Sequence, residues 1–290
     1  MRIHSLALCD GRVGPAAEAV VSVMDRTLLY GLGAFETVRL HGGRPFLLER
    51  HVDRMRRSLA AIHLPAPPLL ERLRDGVPEL AARLDASSAL CRITVTAGPD
   101  PGPDGDPTPG MRVIALLRPA PAVERRPVTV DLAPFVHDPS SPIAGVKTTS
   151  YLTHYLQRDI AERAGRLDDL MADGEGNVTE GTVSSVFGVR DGRLITPPLS
   201  SGILAGVTRG VVLELAAEAG LPLVERALPV AELPALDECF LTGAGKCLVD
   251  VDVLLGHTLP RERPVATALK AALKARIAAA CGVDITAVRF

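Results

Sequence analysis

The chain has 290 residues, 47 % of them apolar and 23 % charged, with a formal net charge of -2; this balance describes a globular protein and excludes a disordered chain or a polyanion-binding surface. Aromatic residues make up only 3 % and tryptophan is absent, which argues against base-stacking platforms and hence a nucleic-acid partner. No apolar run reaches bilayer length, and the opening MRIHSLALCDGR meets Asp10 too early for a signal peptide, so a soluble cytoplasmic chain with no membrane partner is expected.

In chain order, residues 19–23 form an extended apolar run and residues 34–40 a strand. Residues 49–64 follow as an amphipathic helix, with Val52, Met55, Leu59 and Ile62 at three- and four-residue steps. Pro65 and Pro67 stop it. Residues 91–97 and 111–117 read as paired strands joined by GPDPGPDGDPTPG, a loop too long for a tight hairpin. The proline-rich residues 118–123 suit a linker between a small N-terminal domain, 1–117, and a larger C-terminal domain, 124–290. Beyond it come a strand at 128–132, a helix at 151–164 ended by Gly165, and strands at 170–172, 183–189 and 194–196. A helix from Gly206 to Gly220 and a last helix over 266–280, burying Leu269, Leu273 and Ile277, complete the chain. Strands and helices mix without regular βαβ alternation, which predicts an α+β fold.

Some motifs lead nowhere. The five cysteines are scattered and odd in number, which suits reduced thiols. The seven histidines lack metal-ligand spacing, so no metal is assigned. The run from Gly31 to Glu36 starts like a dinucleotide fingerprint but fails at its sixth position, and it leads into a strand. The run from Thr242 to Cys247 lacks the upstream glycine of a P-loop and carries Cys247 where the metal-binding hydroxyl belongs.

Lysine is scarce: of 32 basic residues only Lys147, Lys246, Lys270 and Lys274 are lysines. An amine can lose its proton and condense with an aldehyde, and a guanidinium cannot. Lys270 and Lys274 are expected on a solvated helix face. Lys147 lies in IAGVKTTSY, an apolar approach to a helix, where it is either a hinge lysine or a Schiff-base lysine for pyridoxal 5'-phosphate (PLP). Other segments match the remaining needs of that cofactor. GILAGVTR, residues 202–209, opens a helix where free N–H groups favour a phosphate, although Thr208 could simply cap it. Arg54 offers a bidentate fork for phosphate or is a solvated arginine. Glu180, between a turn and an apolar strand, either keeps a pyridine nitrogen protonated by stabilising its charge or faces water.

Six segments in this order resemble the fold-type IV PLP enzymes, the class IV aminotransferases, which include branched-chain and D-amino-acid aminotransferases and aminodeoxychorismate lyase. They are YGLGAFETVR (30–39), ERHVDRM (49–55), GVK (145–147), GNVTEG (176–181), GILAGVTR (202–209) and ECFLTG (238–243). The resemblance implies a two-domain fold with the cofactor in the cleft between domains, usually as a homodimer. It implies Lys147 as the Schiff-base lysine that also shuttles the proton, and Glu180 as pyridinium partner. Arg54, Val207, Thr208 and Thr242 would form the phosphate cradle, and Tyr30, Thr37 and Arg39 would line the pocket for an amino acid or similar small substrate. Leu32, Ser185 and Ala244 depart from the family pattern at positions where an acid, an asparagine and a hydroxyl residue are common. For the reaction, Tyr151 resembles the tyrosine after the lysine in some aminotransferases, and Ser150 replaces an asparagine of many lyases. Against that, the Phe35-Glu36-Thr37 run and the approach to Lys147 look lyase-like. The reading taken is an aminotransferase. Aminodeoxychorismate lyase, releasing pyruvate and 4-aminobenzoate, is the alternative, and a non-catalytic PLP-binding protein the third.

Overall fold

The computed structural model describes residues 5–102, 105–106, 108–120 and 127–288. Residues 121–123 of the expected linker, and residues 103, 104 and 107 of the expected long loop, lie outside these. The chain divides into two compact units. The first takes Met1–Ala120, Val146–Tyr151 and Ile277–Val288; the second takes Pro121–Gly145, Leu152–Arg276 and the last two residues.

In the first unit β1 (Leu6–Cys9), β2 (Arg12–Pro15), α1 (Arg26–Tyr30), β3 (Gly33–His41) and β4 (Arg44–Pro45) lead into α2 (Leu48–Ala61). Helix α3 (Leu73–Arg83), β5 (Ser88–Thr96) and β6 (Val113–Pro119) follow. The six strands form one sheet in the order β2-β1-β6-β5-β3-β4. The register of β3 on β5 and of β5 on β6 sorts the sheet into two faces. Ala34, Val38 and Leu40 share one face with Cys91, Ile93, Val95, Ala115 and Leu117, and pack with Val52, Met55 and Leu59 of α2 and Leu73, Val77 and Leu80 of α3. Each Val, Leu, Ile or Met side chain among them contributes roughly 1.5–3 kcal/mol by leaving water. The opposite face carries Phe35, Thr37, Arg39, Arg92 and Arg118.

The expected strand at 19–23 does not form; Val20 and Val23 are 63 % and 74 % exposed. β-branched residues favour a strand only where a partner strand takes up their backbone, and among the described residues none pairs with this run. Helix α3 was hidden from pattern reading by Gly76 and Pro78, both breakers, yet Leu73, Val77 and Leu80 bury one continuous side.

The second unit holds β7 (Thr129–Leu132), α4 (Leu152–Arg163), β8 (Asp168–Ala172), β9 (Asn177–Gly181), β10 (Ser185–Arg190), β11 (Arg193–Thr196) and α5 (Val207–Glu218). It continues through β12 (Leu223–Glu225), β13 (Leu228–Pro229), β14 (Glu238–Gly243), β15 (Cys247–Asp250), β16 (Val253–Leu254), β17 (His257–Thr258) and α6 (Pro264–Cys281), whose last residues belong to the first unit. One sheet runs β12-β11-β10-β14-β15 and the other β13-β9-β8-β7-β16-β17. Parallel pairs arise where a helix intervenes, α4 between β7 and β8 and α5 between β11 and β12; the hairpins are antiparallel. Phe187 of β10 faces Phe240 of β14, ring centroids 5.1 Å apart. The fold class is α+β.

Lys270 is not a solvated surface residue: its Nζ lies 2.9 Å from Asp250 Oδ2. Its helix face meets β15, so the polar stripe is answered by a carboxylate instead of water. Lys274 is likewise half-buried. All five cysteines are thiols. Among the described residues no helix is long and apolar enough to cross a membrane.

Candidate active site

In the first unit, residues 146–151 run along the edge of β3. Thr148 bridges Ala34, Phe35 N–H donates to Lys147 O at 3.1 Å, and Thr149 N–H donates to Gly33 O at 2.9 Å. Lys147 N–H donates to Ser58 Oγ of α2 at 3.3 Å. The backbone on both sides of the lysine amine is therefore fixed. Close approach requires Gly31, which ends α1 with φ +69°; a Cβ there would stand 2.6 Å from Ser150 Oγ. Lys147 Nζ lies 4.5 Å from the Phe35 ring centroid and 5.8 Å from that of Tyr151, and the two rings meet edge to face at 5.0 Å. The Arg92 guanidinium stacks on Phe35 at 3.9 Å. The amine is thus held beside aromatic faces, next to a sheet face bearing Thr37, Arg39 and Arg92.

Beneath this face lies a buried polar stripe. His51, Arg54 and Ser58 follow one another at three- and four-residue steps along α2, beside its apolar stripe, and all three are buried. Arg54 donates to Glu36 through Nε and Nη2, both at 2.7 Å, and His51 Nδ1 sits 2.8 Å from Glu36 Oε2. Burial alone would raise the Glu36 carboxyl, but the charge and hydrogen bonds of Arg54, joined by His51, outweigh it and hold the group at about 2. Burial keeps His51 below the usual imidazole range although Glu36 pulls the other way. Arg54 is thus no solvated arginine; two of its nitrogens are committed to Glu36.

In the second unit, Glu180 is the penultimate residue of β9, is 8 % exposed, and its Oε2 accepts from Leu204 N–H at 3.2 Å. That bond ties it to the loop entering α5. The N-cap of α5 is Gly206, with no side-chain cap, so Thr208 lies inside the helix and leaves the opening N–H groups uncovered. A Cβ on Gly206 would come 2.8 Å from Ser185 Oγ, and Ser185 pairs with Thr242 across β10 and β14. Thr242 is 1 % exposed, and its Oγ1 has no hydrogen-bond partner among the described residues. A buried hydroxyl left unsatisfied normally costs about 1–3 kcal/mol. Placed in the same unit as an uncapped helix start, it suits an oxyanion. A phosphorylated pyridine cofactor therefore fits the residues of this unit: helix amides and Thr242 for the phosphate, Glu180 for the ring nitrogen.

Of the residues singled out in the sequence, Lys147, Tyr151, Thr37 and Arg39 gather in the first unit, and Glu180, Val207, Thr208 and Thr242 in the second. Tyr30 stands apart, 73 % exposed at the end of α1. Sequence reasoning missed Arg92, and it saw Glu36 and His51 only as motif letters. Arg92 was findable, because alternation within the strand puts it on the face of Thr37, its cross-strand neighbour.

The family model for amino-transferase class IV matches residues 33–254. A provisionally named branched-chain-amino-acid aminotransferase of Methanocaldococcus jannaschii is 35 % identical over 257 residues, covering 86 % of this chain and 88 % of that protein. The aminodeoxychorismate lyase of Bacillus subtilis is 30 % identical over 246 residues, covering 81 % and 82 %. Among solved structures, a hypothetical aminotransferase from Mycobacterium tuberculosis in its PLP-bound form superposes with a TM-score of 0.81 at 26 % identity, covering 94 % of this chain and 99 % of the other. The chain belongs to the class IV aminotransferase family, and its architecture is that of the fold-type IV enzymes.

Proposed function

We propose that this chain is a PLP-dependent aminotransferase that moves an amino group between an amino acid and a 2-oxo acid, with the cofactor joined to Lys147 Nζ. The observation that carries this is the Lys147 amine itself, pinned by its backbone to β3 and α2 and set beside Phe35 and Tyr151. Bound PLP supplies an aldehyde for the covalent link and an electron-withdrawing ring. Once the substrate amine has displaced it from the cofactor, Lys147 Nζ would take the proton from the substrate Cα and deliver it to C4', the former aldehyde carbon. Glu180 holds a proton on the ring nitrogen. The N–H groups of Val207 and Thr208 and the Thr242 hydroxyl hold the phosphate. Arg39 and Arg92, on the face that carries Phe35, hold the substrate carboxylate, and Thr37 and Tyr151 shape its surroundings. The proposal includes a cytoplasmic protein acting as a homodimer. Supporting the dimer, Leu28, Leu29 and Tyr30 are exposed together on α1, as are Leu152, Tyr155, Leu156 and Ile160 at helical spacing on α4.

The relative from Bacillus subtilis favours a second reading, aminodeoxychorismate lyase. One experiment tests both. The purified protein is loaded with PLP, reduced with borohydride and digested, and the label is expected on the peptide containing Lys147. Loaded protein is then given amino acids, which should convert the cofactor to pyridoxamine 5'-phosphate. Release of 4-aminobenzoate from aminodeoxychorismate, with no such conversion, would establish the lyase instead. A label absent from Lys147 would remove both.

A further inference from the structure

Lys246, set aside as part of a failed P-loop, turns out to be bound inside the second unit. Its Nζ donates to Asp168 Oδ2 at 3.1 Å and to Leu167 O at 3.1 Å. Asp168 is wholly buried, and besides Lys246 and the adjacent Asp169 its partners are Thr182 and Ser184 of the turn between β9 and β10. Oδ1 accepts from Thr182 N–H at 3.0 Å, from Thr182 Oγ1 at 2.5 Å and from Asp169 N–H at 3.0 Å; Oδ2 also accepts Ser184 Oγ at 2.7 Å. The turn closes with Gly181 N–H donating to Ser184 O at 2.7 Å. It is packed tightly enough that a Cβ on Gly181 would stand 2.3 Å from Ser184 Oγ and 3.1 Å from Asp168 Oδ2.

The residues flanking this turn are Glu180 and Ser185. The other end of the ion pair, Lys246, lies in the turn that follows Thr242 and joins β14 to β15. One buried pair thus ties together the two turns whose neighbours carry the Glu180 carboxylate and the Thr242 hydroxyl, which has no partner among the described residues. A buried ion pair is on average no better for stability than apolar residues of the same volume, and its best-attested use is to fix registration. Here the registered objects are Glu180 and Thr242.

We propose that the Asp168–Lys246 pair is a positioning device for the cofactor: Asp168, acting through Thr182 and Ser184, sets Glu180, and Lys246 sets Thr242. Neither residue is given a role in the chemistry. The inference rests on the PLP reading, and it concerns residues that the family motifs quoted above do not contain.

The test uses full-length protein loaded with PLP carrying ¹⁵N in the ring. Three quantities are read: PLP dissociation constant, the ring ¹⁵N chemical shift, which reports protonation of that nitrogen, and thermal midpoint. Lys246→Met and Ser184→Ala should each weaken PLP about tenfold, the size expected when one hydrogen bond to a charged group is lost. Ser184→Ala should also move the ¹⁵N shift toward the unprotonated ring. The double variant Asp168→Asn/Lys246→Met should regain thermal stability without regaining affinity. Unchanged affinity and ¹⁵N shift in variants whose midpoint alone has fallen would show a merely structural pair and overturn the proposal; so would a double variant that recovers both stability and affinity. If Lys246→Met does not fold, Ser184→Ala decides, since it leaves the ion pair whole. Wild-type protein that binds no PLP would defeat the functional reading itself, a result distinct from wild-type binding with indifferent variants.

Discussion

Glu36 is 1 % exposed between His51 and Arg54, and opposing effects act on its carboxyl. Burial favours the neutral acid, while two bonds from a guanidinium and one from an imidazole favour the anion, and the anion wins. Removing one partner of such a buried pair leaves the other charge stranded, at a cost of about 3–5 kcal/mol. Glu36→Gln should therefore lower the urea midpoint strongly, and pairing it with Arg54→Met should recover part of the loss. An unaltered midpoint in the single variant would mean that Arg54 reaches water. Lys147 is the opposite case. Its side chain is half-buried and bears on ring faces, so Lys147→Ala should leave thermal stability within about 1 kcal/mol while abolishing turnover, because surface-like truncations cost little. Unfolding of that variant, followed by circular dichroism, would contradict this.

At the scale of elements, the proposed anion cradle of α5 and β14 rests on what these elements leave unmade. The helix start is uncapped and Thr242 Oγ1 is unpartnered among the described residues. Thr242→Val exchanges that hydroxyl for a methyl of the same shape, so the cofactor-free protein should keep or slightly raise its melting temperature, whereas PLP affinity should fall about tenfold. Calorimetric titration and a thermal melt of the same sample read both; a fall in stability with unchanged affinity would place the hydroxyl elsewhere. Elements with clear periodicity were legible in the sequence: β3, α2, β5, β6, α4, α5 and α6 all lie where alternation or three-to-four spacing puts them. The short strands from β12 to β17 were not, since two to six residues carry too little pattern and are held by their neighbours. In the sequence, the proposed site was signalled by its lysine and its glycine-flanked segments. The Glu36–His51–Arg54 stripe was not, because charged letters on a helix suggest water until a buried partner of opposite charge is seen across from them.

For the whole molecule, burial sets the response to acid. His41 is pushed down to about 4, by burial first and by Arg39 second, and His51 is also lowered. Both are neutral in the folded chain, whereas in the unfolded chain they take up protons near the ordinary imidazole value of 6.5. The unfolded state then binds more protons, so stability is full above pH 6.5 and is lost as pH falls toward the folded values. Glu36 acts in the same direction at lower pH, between its ordinary 4.5 and about 2. Melting temperature should therefore be level from pH 8 to about 7 and fall steadily toward 4, with a shallower slope in His41→Gln. A level profile down to pH 4 would show that these imidazoles reach solvent.

The first unit is assembled from three separated stretches of chain, Met1–Ala120, Val146–Tyr151 and Ile277–Val288. Its last stretch lies against the β3–β4 hairpin: Cys281 Sγ reaches Arg44 O at 3.7 Å, and Val283 fills the space over Gly42. A gene fragment ending at residue 120 would encode an orphan sheet, lacking both the lysine-bearing ribbon and the terminal clasp that close it. Ribosomal synthesis meets the same constraint, for the sheet must wait until residues 277–288 have emerged before its final staple arrives.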